Sequence, residues 1–494
     1  MARRIIIGVI AILALVVMCG VAVTMMLRPP PPLRAPQSAN LVLSSITLVN
    51  PGQTPWPGVT IVIQGSRIKA ISSRSLEHSV RRSFGLRQYR GAYVLPGLID
   101  LHVHHPPAAA ELDIRLFELL YLAHGVTAVR DTGNFDGSIL RTRDQILHGD
   151  FAGPRIFACG PIIDGDPPIW PGSVVVHNYT EAVRAVDKIA AEGMNCVKAY
   201  TNLTPDALVG LRDAARSHRL PLIGHVPWRV PLQDAHIPEV QHLTGVAQTT
   251  PPTPFADFQA MTWSQLRETR IKTIVALSRA QDLSYTPTMV VMQRSFELAS
   301  GAFFHLHDSP QAHLLPRYYR DLFWPTLLAQ RQQVSPDTAQ IAWNNFELAV
   351  RQLHTAGVPL HVGTDTLNPF VVPGASMWTE LRELVHAGFT PEQAWAAATS
   401  GNGAALREPN LGVLEAGAPA DLLVFRHNPA NDLDALSTLE AVVANGRFYS
   451  RTMLDDAEAR YQRYFNGWLY DRVSMYLVRR RLRASFRSPI SARE

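Results

Sequence analysis

The sequence predicts a (β/α)8 TIM barrel with a small β-sandwich domain built from both flanks, preceded by an N-terminal membrane segment. Three observations carry that expectation. From Val94 onward, apolar β-type runs alternate with helical stretches, the texture of a parallel α/β fold. Eight such runs can be counted, the number a barrel needs. On either side, residues 39–93 and 410–450 carry short β-type runs broken by Pro, Gly and Asn turns, as a small β-layer completed from both ends of the chain would.

Taken in order, the chain begins with Arg3 and Arg4 followed by an uncharged apolar run from Ile5 to Leu27. That run is long enough to span a bilayer. The basic residues before it orient the remainder away from the cytoplasm. The expectation is a membrane-anchored protein with an extracytoplasmic catalytic domain, or a secreted or periplasmic one if Gly20-Val21-Ala22 is cleaved. Pro29 to Pro32 form a stiff, extended spacer, so residues 1–38 read as anchor and spacer.

Composition bounds the rest. A chain of 494 residues, 47% hydrophobic and 18% charged, can bury a full core and is neither disordered nor a polytopic membrane protein. The formal net charge of +5 is local, because residues 471–494 hold seven arginines against two acids. The main domain therefore gives no sign of a nucleic-acid partner. Three cysteines exclude a disulfide scaffold, and Cys159 and Cys196, in strand-like runs, read as core.

The eight expected strands are 98–104, 126–131, 155–159, 196–200, 222–226, 240–243, 284–291 and 360–364, within a barrel of residues 94–409. In such a barrel chemistry sits at the C-terminal strand ends. The first strand ends in His102 and His104, which share a face roughly 6–7 Å apart and can close on one metal ion. Lys198 ends the fourth strand. Only four lysines stand among the 46 basic residues, so one on a barrel-facing strand suggests a task guanidinium cannot perform. His225, His242 and Asp365 end the fifth, sixth and eighth strands. Singly each has a bland reading, as a satisfied polar residue or a helix cap; jointly they crowd one rim.

Here the sequence resembles a known group. The runs Pro-Gly-Leu-Ile-Asp-Leu-His-Val-His, Val-Lys-Ala-Tyr, Gly-His-Val, Gln-His-Leu and Gly-Thr-Asp are similar to those of the amidohydrolase superfamily, in its imidazolonepropionase- and prolidase-like branch. The resemblance spans about residues 40 to 450 and includes Ala-Asp-Leu-Leu-Val at 420–424. It implies two divalent metal ions, zinc by ligand type. His102, His104 and Asp365 would bind one, His225 and His242 the other, and Lys198, carboxylated by CO2, would bridge them. The implied reaction is hydrolysis of an amide or cyclic amide by a metal-bridging hydroxide, dipeptidase- or prolidase-like in one version. Asp365 would be the catalytic base and then acid. An esterase or lactonase on the same site, and a membrane-tethered barrel that binds without turnover, are the alternatives.

Other residues have weaker grounds. Tyr200 shares the face of Lys198 and is a candidate substrate contact, as is His177 in the loop after the third strand. His105 has the wrong parity for a ligand, His361 reads as core, and Asp131 as structural or rim-lining. Residues 294–353, with His305, His307 and His313, form an unusually long connection expected to be a helical lid that sets specificity. The tail, 451–494, reads as a basic amphipathic helix with an aromatic face of Tyr461, Tyr464, Phe465, Trp468 and Leu469. It either docks on the barrel or lies on anionic lipid.

Overall fold

The structure is a computed structural model; it describes residues 27–36, 40–73, 85–247, 258–301, 303–329 and 333–485. The apolar run preceding Leu27 lies outside the described residues. Among the described residues, no helix is long and apolar enough to cross a membrane.

The strands from both flanks are joined in one continuous hydrogen-bonded sheet of eight strands. Strands β1 (Leu41–Leu48), β2 (Trp56–Gln64), β3 (Arg67–Ser72), β4 (Gly85–Gln88) and β5 (Tyr93–Pro96) come from the first flank. The last three strands of the chain, Leu422–Phe425, Leu439–Ala444 and Arg447–Ser450, extend it beyond β5. Within it β1 carries two neighbours on one edge: residues 41–44 pair with β4 and residues 47–48 with β5. Ser45, at φ 62°, makes the irregularity between them. The apolar face of this sheet, including Ile61, Ile63, Val94 and Val424, forms its own cluster.

The parallel strands fall into two sheets. β6 (Leu98–Val103), β7 (Val126–Asp131) and β8 (Arg155–Ala158) make the first. The second joins β9 (Ile163–Asp164), β10 (Val174–Val175), β11 (Val197–Ala199), β12 (Leu222–Gly224), β13 (Glu239–Gln241) and β14 (Ser284–Thr286). An unbroken eight-stranded barrel ladder is thus not formed. At one seam, residues 359–365 replace the expected eighth strand, with Leu101 N–H donating to Val362 and His361 N–H to Tyr285. Side chains take over the ladder there. Asn402 bonds both the N–H and C=O of Val362, and Asp100 accepts from the Thr364 N–H and hydroxyl. At the other seam, Asn195 N–H donates to Ala158, and a disulfide joins Cys159 to Cys196. The two cysteines are buried, as expected of core, but they are bonded to each other. Their partnership depends on the adjacency of two strands 37 residues apart.

The principal helices are α1 (Glu111–Ala123), α2 (Ser138–His148), α3 (Tyr179–Ala191), α4 (Pro205–Ser217), α5 (Glu268–Ala280) and α6 (Met289–Ala299). They continue with α7 (Pro336–Thr355), α8 (Ala375–His386), α9 (Arg451–Phe465) and α10 (Trp468–Ser485). Local signals start several of them: Asn178, Thr204 and Ser335 accept from the third residue on, and Pro205 and Pro336 occupy first helical positions. The strand expected over 284–291 ends at Thr286. Pro287 and Thr288 (φ 47°) turn the chain, and the buried Glu380 carboxylate accepts from the N–H groups of Met289 and Val290, so α6 starts early.

Candidate active site

Six side chains expected at one rim are brought together there. His102 is fully buried on β6, and its Nδ1 lies 2.5 Å from Oε1 of Gln241. Because the Gln241 amide nitrogen is engaged with Glu239, its oxygen faces His102 and can only accept. The proton therefore sits on Nδ1. The Nε2 lone pair points at Lys198 Nζ, 3.4 Å away, and at Asp365 Oδ1, also 3.4 Å away. His242 repeats the device. Its Nδ1 is 2.5 Å from the Thr288 hydroxyl, which donates to the Pro287 carbonyl and so must accept from the ring. Its Nε2 is left 3.6 Å from Asp365 Oδ2.

His104 lies just beyond β6 with Nε2 3.2 Å from Asp365 Oδ1. His225 follows β12, and neither of its buried ring nitrogens has a hydrogen-bond partner among the described residues. Its ring stands 4.2 Å from that of Tyr200 and 5.2 Å from that of His242. A buried imidazole with both nitrogens unspent is costly unless something else binds it. Ligand atoms of His102, His242 and Asp365 lie within 4.8 Å of one another, close enough to share one ion.

The electrostatics favour the same use. Burial holds His102 and His225 well below the usual imidazole range and pushes His242 down to about 3, so these rings are neutral and offer lone pairs. Burial likewise brings the Lys198 amine down to about 7, where a neutral, nucleophilic fraction exists at physiological pH. Burial acts to raise Asp365, but His242 and His104 outweigh it and keep the carboxylate ionised. Four imidazoles, a carboxylate and an amine suit divalent cations of the zinc type.

The backbone is bent to present them. His242 (φ 57°), Leu243 (φ 50°), Thr288 (φ 47°) and Asp365 (φ 63°) all occupy the left-handed region, where a side chain is ordinarily disfavoured. Behind them runs a buried polar chain: Arg130 forks onto Glu239, Glu239 accepts from Gln241 and from Thr286, and Gln241 holds His102.

The cavity over these residues measures about 290 Å³. Its remaining walls are largely apolar, including Phe135, Ile162, Trp170, Met292, Phe323 and Leu367. Tyr200 lines it, as expected, and its hydroxyl accepts from Trp170 Nε1 at 2.6 Å. Phe323 comes from the long connection over 294–353, which therefore closes one side of the pocket. A larger cavity of about 640 Å³ opens at the opposite strand ends, lined by Arg212, Glu239 and His361. It contains none of the six converging side chains, so the chemistry belongs to the smaller one.

Other expected residues fall elsewhere. His177 is not brought to the pocket; it is exposed and bonded to Glu181 at the start of α3. His105 is no ligand, being buried between Glu118 and Asp131. His361 sits at the opposite cavity, and His307 is held by Asp308 and Asp321. Sequence reasoning missed Trp170, Phe323 and Gln241. Only Gln241, two residues beyond a buried acid and next to His242, had a signal in its position.

A family model described as the amidohydrolase family matches residues 93–448. The chain belongs to the amidohydrolase family. That membership supports metal-dependent hydrolysis of amide bonds. Solved structures share the amidohydrolase fold. A bottromycin amidohydrolase superposes with a TM-score of 0.66 at 21% identity, over 90% of this chain and 93% of its own. A candidate prolidase from Bifidobacterium longum gives 0.64 at 23%, over 85% and 100%. A Xaa-Pro dipeptidase with bound methionine in its active site gives 0.61 at 21%, over 83% and 100%. No curated protein matches the chain.

Proposed function

We propose that this amidohydrolase cleaves a C–N bond of a neutral amide or cyclic amide at a binuclear metal site. The observation that carries the reading is the convergence of His102, His104, Lys198, His225, His242 and Asp365, with their lone pairs turned inward and His225 otherwise unpartnered. His102, His104 and Asp365 would hold one ion and His225 and His242 the other, with a carboxylated Lys198 between them. When bound, two such cations, zinc by ligand type, acidify water and polarise the scissile carbonyl.

The chain's own residues supply the remainder. Asp365, buried and ionised, takes the proton from the attacking water and returns it to the leaving nitrogen. Lys198, kept from full protonation by burial, can react with CO2 to form a carbamate, which an ammonium could not. Tyr200, fixed by Trp170, borders the cluster beside His225, and the apolar walls exclude water and receive apolar groups flanking the bond. Among the described lining residues there is no arginine, and Lys198 is the only lysine. A neutral amide is thus favoured over a dipeptide bearing a free carboxylate, the substrate class that the Xaa-Pro dipeptidase relative suggests. A buried disulfide supports a compartment that is oxidising, in keeping with an extracytoplasmic catalytic domain.

The test is elemental analysis of the purified chain and of Lys198→Ala, followed by turnover of matched N-acyl amides, cyclic amides and Xaa-Pro dipeptides. Near two metals per chain, falling sharply in the variant, with neutral amides turned over fastest, is the expected result. One metal in both proteins overturns the bridged site; preference for dipeptides overturns the substrate class.

A further inference from the structure

The tail is two helices, and the aromatic face expected across it is interrupted. Asn466 and Gly467 end α9, so Tyr461 and Phe465 are buried against the body while Trp468, restarting the chain as α10, is 65% exposed. Buried Met475 and half-buried Asp471, Val478 and Leu482 lie along one side of α10. The rest of its surface interleaves exposed Val473, Tyr476 and Leu477 with Arg480, while exposed Trp468, at the helix start, flanks Arg472, Arg479 and Arg483. Among the described residues, four of the 13 exposed large hydrophobic ones fall on this one helix, which separates it from ordinary surface scatter. Its one acid, Asp471, is occupied by Arg317 at 2.9 Å, so nothing on the helix offsets the arginines. The Arg472 guanidinium lies 5.4 Å over the Trp468 ring, leaving both at the surface together.

A second observation says what meets this face. The apolar run from Ile5 ends at Leu27, whose carbonyl accepts from the Tyr464 hydroxyl of α9 at 2.9 Å. The proline-rich spacer does not hold the body away: Ala152 N–H donates to Leu33, and Leu33 and Ala35 pack against the core. The end of a bilayer-length apolar run is thereby fastened within one helix of α10.

We propose that the outer face of α10 rests on an anionic lipid surface, with Val473, Tyr476 and Leu477 at the acyl boundary and Trp468 beside the arginines at the headgroup boundary. This contact acts on the catalytic half of the molecule. Arg317 to Asp471, Tyr318 to Tyr470 and Gln462 to the Leu314 carbonyl fasten the two tail helices to the segment that supplies Phe323 to the pocket. A membrane-seated α10 braces that wall.

The full-length chain reconstituted in vesicles tests this, with phosphatidylcholine alone or mixed with phosphatidylglycerol, the acyl chains being brominated to quench tryptophan. Wild type should be quenched more than Trp468→Phe in the anionic vesicles. That excess should vanish when Arg472, Arg479, Arg480 and Arg483 are changed together to glutamine, and shrink in high salt. Both variants alter exposed positions, and an unchanged circular dichroism spectrum checks that they fold. Equal quenching of wild type and Trp468→Phe in anionic vesicles overturns the proposal. So does a detergent-solubilised dimer that Trp468→Asp dissociates, which would give the face to a second copy of the chain. Neither readout depends on turnover, so they stand apart from the assignment of the reaction.

Discussion

Gln241 accepts a hydrogen bond from Nδ1 of His102 at 2.5 Å, and by doing so decides which imidazole nitrogen faces the cluster. Partners of this kind typically change metal affinity about 10–100-fold when removed. Gln241→Leu is expected to weaken metal binding by about that factor, read by competition with a chromophoric chelator, while the circular dichroism spectrum stays unchanged. Undiminished affinity in the variant would show that the ring holds its orientation without this partner.

Asp365 both contacts the cluster and carries the proton in the proposed reaction. Asp365→Asn keeps the shape and removes the base. Turnover of a neutral amide should fall by roughly 10²–10⁴-fold, the usual range for a lost general base. Metal content measured on the same sample separates lost chemistry from lost metal; full turnover with metal bound would remove Asp365 from the proton path.

The buried pair of Arg130 and Glu239 makes stability depend on acid. Burial alone would raise the Glu239 carboxyl, but the Arg130 charge and its hydrogen bonds outweigh it and hold it far below its unfolded value. The sign follows. The pair's contribution is present above the unfolded pKa of about 4.3 and is lost as pH falls below it, because the unfolded chain takes up the proton first. Glu239→Gln leaves a buried guanidinium without its counter-charge, expected to cost about 3–5 kcal/mol at neutral pH. Urea unfolding at neutral and acidic pH should show wild type and variant converging in acid.

Cys159 and Cys196 should appear as one linked peptide pair in a non-reduced digest. Converting both to serine removes a constraint on the unfolded chain, typically worth about 2–4 kcal/mol. A lower midpoint in urea for the double variant, with the metal content unchanged, is the expected outcome; free thiols in protein made in an oxidising compartment would contradict the bond.

The rim of the site was legible in the sequence because strand parity is a local property. His102 and His104, two apart on one strand, had to share a face wherever that strand lay. Lys198 was legible through rarity. What could not be read depends on neighbours distant in the chain. Trp170 reaches Tyr200 only after the loop holding it has folded over the β11 end, and Phe323 enters the pocket from a connection with no periodic signature of its own. The expected eighth strand was half right. Its residues lie in line, but Asn402 and Asp100 supply bonds that a regular ladder would otherwise make. The tail failed at a single point, where Gly467 breaks the helix and turns Trp468 outward instead of continuing the face of Tyr461 and Phe465.

The left-handed residues of the rim bear on how the molecule tolerates change. Each costs on the order of 1–2 kcal/mol relative to ordinary helical or extended backbone, and the surrounding packing must over-determine it. His242, Leu243, Thr288 and Asp365 are thus held under tension by the body of the protein. Loosening that body anywhere lets these four relax before the sheets themselves come apart. Drift in the distant core should therefore extinguish the chemistry in chains that still fold, and survivors of random mutagenesis should divide into many intact but silent molecules and few working ones.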